Sequence, residues 1–280
     1  MKLGEAGSVM DKVVMVGVFD FVNFHVCKAL LDKGIEVRGV QIETENESNI
    51  LGEKRLEIGR NANFSEVSIG DFLNASYENE TIVLSVYDLY MRYKEEYLLN
   101  DDMLFNLISK NKWEQIVILV PSQMLTNEFE SKAEIVIDDF INRAKSHKQD
   151  IHLLYLPTIF GTWQPDTFMF QNSILTDMNR GKPFRGLREE TSDAIFVEDT
   201  VHAIIEIIEN KLPGRYLLQS GKSNQWNLCA SFLRINEKGS TDRKAEANKD
   251  KITIFTVKNT VSIAEGLTKQ IDHAHRINSE

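Results

Sequence analysis

Two groups of residues in this 280-residue chain have types and spacing that could do chemistry. The first is Gly17-Val18-Phe19-Asp20-Phe21-Val22-Asn23, which follows the apolar, β-branched run at residues 12–17. A turn from strand to helix can hold a diphosphate when glycines let the backbone bend tightly, bring main-chain N–H groups to the phosphate and let the helix pack closely on the strand. Gly17 supplies one such glycine, but Asp20 and Asn23 follow it where further glycines would serve. Asp20 would bring a carboxylate to the helix N-terminus, where it can cap free N–H groups and satisfy the helix dipole. An incoming anion would then meet like charge, worth about 1 kcal/mol at contact distance in water and more if partly buried. Two readings stay open: an altered nucleotide site contacted by Gly17, Asp20, Phe21, Val22 and Asn23, or a helix cap on a fold that no longer holds a nucleotide.

The second group is Ser122, Glu128 and Lys132. Glu128 and Lys132 stand at i, i+4, which serves a surface ion pair or an acid/base couple. His25, His152 and His202 have no Ser, Cys or carboxylate at a recognisable catalytic spacing. Cys27 and Cys229 are far apart, with no zinc-ligand spacing, so neither a metal site nor a disulfide framework is expected.

These groups are carried by alternating elements. Residues 12–17 and 36–42 read as strands around a helix at 21–33 that ends at Gly34, a βαβ unit of crossover length. Further strands are predicted at 64–69, 81–86, 115–120 and 151–156, with helices at 98–111 and 130–147. Near-continuous apolar strands separated by amphipathic helices imply a parallel sheet covered on both faces. After residue 165 the pattern loosens into a helix near 168–180, the segment Ala194-Ile195-Phe196-Val197 and a helix at 199–210. The expected fold is therefore α/β, a Rossmann-type doubly wound parallel sheet over 1–165 with a small C-terminal α/β substrate lobe over 166–280. Residues 237–251 are polar and read as a mobile loop.

A net charge of −10 without a basic cluster argues against nucleic acid. No leader-like opening or apolar run of membrane-spanning length is present, so a cytoplasmic location is expected. Four tyrosines, Tyr87, Tyr90, Tyr93 and Tyr97, follow the fourth strand and read as helix packing or an interface. Trp163-Gln164-Pro165 reads as the border of a cleft or as an exposed partner surface.

Six segments occur in a telling order: Val13 to Glu43, Gly70-Asp71, Asn106, Leu156-Pro157-Thr158-Ile159-Phe160-Gly161, Phe196-Val197-Glu198-Asp199, and Ser262-Ile263-Ala264-Glu265-Gly266-Leu267. In this order the chain resembles the extended short-chain dehydrogenase/reductase family, which includes NAD-dependent nucleotide-sugar epimerases and dehydratases. The resemblance spans nearly the whole chain. It implies NAD or NADP as cofactor, a nucleotide sugar or other small metabolite as ligand, and a homodimer formed through the helices at 98–111 and 130–147. It also adds Gln41, at the place of the family's ribose-binding acid, Asp71, at the turn that contacts adenine, and Ser85, at the end of the fourth strand, to the cofactor-binding candidates; Glu43 could substitute for Gln41. The family's Gly-x-x-Gly-x-x-Gly turn keeps only its first glycine here, and its Tyr-x-x-x-Lys pair has Glu128 where the tyrosine belongs. The loss of both motifs together points to a non-catalytic binding or regulatory relative; the alternative is an active oxidoreductase, epimerase or dehydratase with a non-standard site.

Overall fold

Long β-branched and aliphatic runs make the central strands because both faces of a parallel sheet are covered and every position can be apolar. The computed structural model describes residues 11–42, 49–99, 103–125, 131–146, 150–183, 186–211, 213–235 and 252–278. Strands β1 (Lys12–Val16), β4 (Thr81–Ser85), β5 (Gln115–Pro121) and β6 (Ile151–Leu156) are buried along nearly their whole length. Strands β2 (Glu36–Val40), β3 (Phe64–Val67), β9 (Gly214–Gln219) and β10 (Ile252–Thr256) complete an eight-stranded sheet in the order β10-β9-β6-β5-β4-β1-β2-β3. All its pairings are parallel. The outermost strands β3 and β10 are half exposed. Strands β7 (Thr158–Phe160) and β8 (Ala194–Phe196) form a separate parallel pair.

The strand order reverses between β1 and β4, and in open α/β sheets the crevice for a ligand opens at such a point, beyond the carboxyl ends of the strands. Helix α1 (Phe21–Asp32) leaves β1 there. It ends as expected at Gly34, whose φ of +79° lets the Gly34 and Ile35 N–H groups turn back to the carbonyls of Leu31 and Leu30. Helix α6 (Lys132–Lys145) begins with a capping box between Ser131 and Glu134.

The helix expected at 98–111 is a 3₁₀ turn at Glu95–Leu98 and a helix α5 at Met103–Lys110. The tyrosine-rich stretch begins with helix α4 (Val86–Met91), which buries Tyr87 and Tyr90. Helices α2 (Asn49–Ile58) and α3 (Ile69–Asn74) lie between the early strands, and α2 has only a weak apolar stripe that its sequence does not advertise. Helices α7 (Met169–Asp177) and α8 (Val197–Glu209) match the two expected after residue 165, and α9 (Gln225–Phe232) and α10 (Ile263–Ile277) follow. Strands β9 and β10, from the second half of the chain, extend the same sheet as the first half. The expected mobile loop at 237–251 lies outside the described residues.

Candidate functional site

Gly17 ends β1 with φ +76°, and a Cβ built there would fall 2.3 Å from the Asp20 carboxylate, so the close approach of that side chain requires glycine. Asp20 stands at the N-cap of α1 in extended conformation, but its side chain makes no capping hydrogen bond and pairs instead with Arg92, just past α4. The sequence-based assignment of the cap to Asp20 is thereby corrected. The cap comes from Asp88 on α4, whose fully buried carboxylate accepts the Val22 N–H at 3.1 and 3.2 Å and the Asn23 N–H at 3.4 Å. Ser85 holds α4 in place by accepting the Asp88 N–H at 3.0 Å. Burial first, then the nearby Asp20 charge, push the Asp88 carboxyl up to about 7, against the hydrogen bonds it accepts. Asn23 sends its side-chain amide back to the Val16 carbonyl at 2.9 Å, tying helix to strand where a glycine would have allowed bare backbone contact.

Beside this mouth the chain packs its own aromatic rings. The Tyr87 ring is buried against Phe168, with 6.2 Å between centroids, and Phe168 lies 5.7 Å from Phe21. The Tyr87 hydroxyl accepts the Ile159 N–H at 3.0 Å, and burial holds its pKa well above the ordinary value. Glu189 is buried as well, accepting the Met169 N–H at the start of α7 at 3.0 Å, and burial pushes its carboxyl up to about 8.

Ser122 is buried at the end of β5, and its hydroxyl has no hydrogen-bond partner among the described residues. Lys132 is exposed in the first turn of α6. No hydrogen bond joins the two, and Glu128, like Glu43, lies outside the described residues. Asp71 sits exposed on α3, where its carboxylate accepts the Ser68 hydroxyl at 2.7 Å. Asn106 lies on α5.

On the β1–β2 side the structure is open. A cavity of about 550 Å³ brings together the predicted residues Gly17, Asp20, Phe21 and Gln41 with Lys54 of α2, Arg92, Trp163 and His273 of α10. Val22, Asn23 and Ser85 lie buried and do not line it. Gln41 accepts from Arg55 at 2.9 Å. Lys54 is 6% exposed and donates to the Phe19 carbonyl at 2.7 Å, with the rings of Phe24 and Trp163 at 5.2 and 5.5 Å. Burial, outweighing Asp20 and Asp88, lowers the Lys54 pKa to about 8. Trp163 is 7% exposed, which corrects the expectation of an exposed partner surface, and it does border this cleft. Its ring meets His273 at 4.3 Å. Burial lowers His25 to about 3 and His273 to about 4; His25 bonds the Thr162 carbonyl at 2.8 Å, and both imidazoles are neutral packing groups at pH 7.

Sequence reasoning missed Asp88, Lys54 and Arg92. Asp88 and Arg92 lie in and beside the stretch read for its tyrosines, and Lys54 lies on a helix whose weak periodicity gave no signal. Chemically, the site pairs a sealed helix N-terminus with an open cavity that carries a buried ammonium.

No protein-family model and no curated protein sequence matches the chain. Solved structures do. UDP-glucuronic acid 4-epimerase from Bacillus cereus, in complex with UDP-glucuronic acid and NAD, superposes with a TM-score of 0.67 at 15% identity, covering 95% of this chain and 99% of that one. The dTDP-glucose 4,6-dehydratase of Bacillus anthracis, in complex with NAD, gives 0.67 at 12% identity, covering 96% and 98%. TunA, an NAD-dependent NDP-hexosamine 5,6-dehydratase of tunicamycin biosynthesis, gives 0.60 at 12% identity, covering 95% and 98%. The Rossmann-type sheet of this chain is thus the fold of NAD-dependent nucleotide-sugar epimerases and dehydratases, over nearly the full length of both partners.

Proposed function

We propose that this protein is a relative of the NAD-dependent epimerases and dehydratases that keeps their fold, has given up dinucleotide chemistry and works by binding a small metabolite. A single observation carries the reading. The N–H groups of Val22 and Asn23, which a diphosphate at the start of α1 would need, are already bonded to the buried carboxylate of Asp88. A bound diphosphate would have to displace that carboxylate and face Asp20 as well, so the residues present do not fit NAD or NADP. The rings of Tyr87 and Phe168 pack beside Phe21, the first residue of α1. On the same reading Ser122, Glu128 and Lys132 do not act as a catalytic unit.

Residues 166–280 act in this proposal as a ligand-covering lobe, through α7 and α10. No helix among the described residues is long and apolar enough to cross a membrane. Cys27 and Cys229 are free and buried, and burial pushes both thiols up to about 12, in keeping with a reducing cytoplasm. Pairing through α5 and α6 into a homodimer belongs to the same reading.

Titration with NADH and NADPH, followed by energy transfer from the three tryptophans, tests it. The wild type should give no saturable signal. Asp20→Gly alone should stay inert, because Asp88 still holds the helix N-terminus, whereas Asp20→Gly combined with Asp88→Ser should gain measurable binding. Micromolar binding of either dinucleotide by the wild type would overturn the proposal.

A further inference from the structure

We infer that the cavity between α2, α7 and α10 is a binding site for a small organic anion, with one carboxylate or phosphate head on an apolar body, and that Lys54 receives the head. The inference deepens the reading of the protein as a binder by assigning its ligand class.

Lys54 has an incomplete set of hydrogen bonds. An ammonium has three donors, and Lys54 spends one on the Phe19 carbonyl. Two ring faces and the nearby Asp20 and Asp88 charges supply further attraction, but among the described residues no carboxylate hydrogen-bonds to this buried cation. A buried cation whose donors are incompletely bonded is unfavourable in a folded protein, and an acceptor on a ligand would complete the set. The ammonium lines the cavity, so a ligand can reach it.

The charge balance of the walls points the same way. Among the described residues the cavity carries Lys54, Arg92, Arg180 and Lys182 against Asp20 and Asp166. Arg92 pairs with Asp20, and Lys182 pairs with Asp166 at 2.6 Å. Lys54 and Arg180 are left over, a local excess of positive charge in a chain whose net charge is −10. The lining also includes the aliphatic side chains of Ile42, Leu51, Leu89, Leu175 and Ile277. A cavity of about 550 Å³ with aliphatic lining and two surplus cations suits a compact ligand with an apolar body and one charged end.

The roof is built by the chain itself. His273 of α10 packs on Trp163, and Arg276 reaches Glu57 of α2 at 3.9 Å, so the C-terminal helix spans from the Trp163 loop to α2. Of the three tryptophans, Trp163 alone lines the cavity, and it should report occupancy through its emission.

Calorimetry on the full chain with octanoate, phenyl phosphate and inorganic phosphate tests the inference. Octanoate or phenyl phosphate should bind and shift tryptophan emission, and the stronger of the two identifies a carboxylate or a phosphate ligand. Inorganic phosphate, the head without the body, should bind at least ~10-fold more weakly. Lys54→Met should weaken the preferred probe by ~10-fold or more, and Arg180→Gln, at an exposed site that does not threaten folding, by several-fold. The inference fails if neither organic probe binds the wild type at concentrations up to roughly 10 mM. It fails equally if a folded Lys54→Met protein, or, should that variant not fold, Arg180→Gln, keeps wild-type affinity. The NADH titration is independent of these outcomes: a failed probe screen with no dinucleotide binding removes this ligand class and leaves the sealed helix N-terminus intact.

Discussion

The mouth of the α1 helix and the cavity beside it adjoin at the same end of one sheet and treat their polar groups in opposite ways. At the mouth, the groups that could meet an anion are engaged within the chain: the Val22 and Asn23 N–H groups by Asp88, Arg92 by Asp20, and the Asn23 amide by the Val16 carbonyl. In the cavity, Lys54 keeps a buried ammonium with one carbonyl and two rings around it. A site that has lost its ligand must satisfy its own buried donors, because each one left unpaired costs stability. A site that still expects a ligand can leave a group incomplete. The contrast therefore separates buried donors that are bonded within the chain from one whose bonds are incomplete.

The contrast can be broken most sharply at Asp88. Asp88→Ala strips the cap from α1 and leaves two buried N–H groups bare, and urea unfolding should show a loss of about 3 kcal/mol. A loss within error would mean that the mouth is not sealed by this carboxylate.

Glu189, on the same closed side, gives the next effect. Its folded pKa of about 8 lies above the ordinary 4.5, so the folded state binds the extra proton and wild-type stability from this group drains away as pH rises from 4.5 through 8. Glu189→Gln removes that term. Relative to wild type, the variant should be favoured at pH 8 over pH 5 by roughly 2 kcal/mol in paired urea titrations. Parallel curves would show that the carboxyl titrates normally.

Lys54 should behave in the opposite sense to Asp88. Replacing an incompletely bonded buried ammonium with methionine should leave stability unchanged or raise it by about 1 kcal/mol without ligand. A large loss would show that the ammonium serves the fold and would place it with the closed region. Lys132→Ala, on the exposed start of α6, should change stability by less than about 0.5 kcal/mol, the range of ordinary surface substitutions.

Much of the architecture was legible because it repeats simple signals. The runs Val13 to Val16, Ile82 to Leu84 and Ile116 to Val120 are apolar on both faces, as buried parallel strands must be. Gly34 marks the end of α1 at the residue where a left-handed turn closes the helix. Helix α2 and strand β10 were not legible. The first has too weak an apolar stripe to stand out from a loop, and the second is a half-exposed edge strand that follows a long polar stretch. In the site, Gly17, Asp20, Phe21 and Gln41 were found by their place in the first βαβ unit, and they do share one cavity. Ser122 and Lys132 were paired by a motif; one is buried at a strand end, the other is exposed on a helix, and the Glu128 between them lies outside the described residues.

Period and turn chemistry alone determined the α/β layering, the opening βαβ unit and the loss of two of three turn glycines, because those features depend on residues close together in the chain. Which carboxylate caps α1 and which cation is left incomplete were decided only in three dimensions. Asp88 reaches Val22 across 66 positions of sequence, and Lys54 meets Phe19 across 35. Such partners are chosen by how strands and helices stack, and no local pattern of residues encodes that choice.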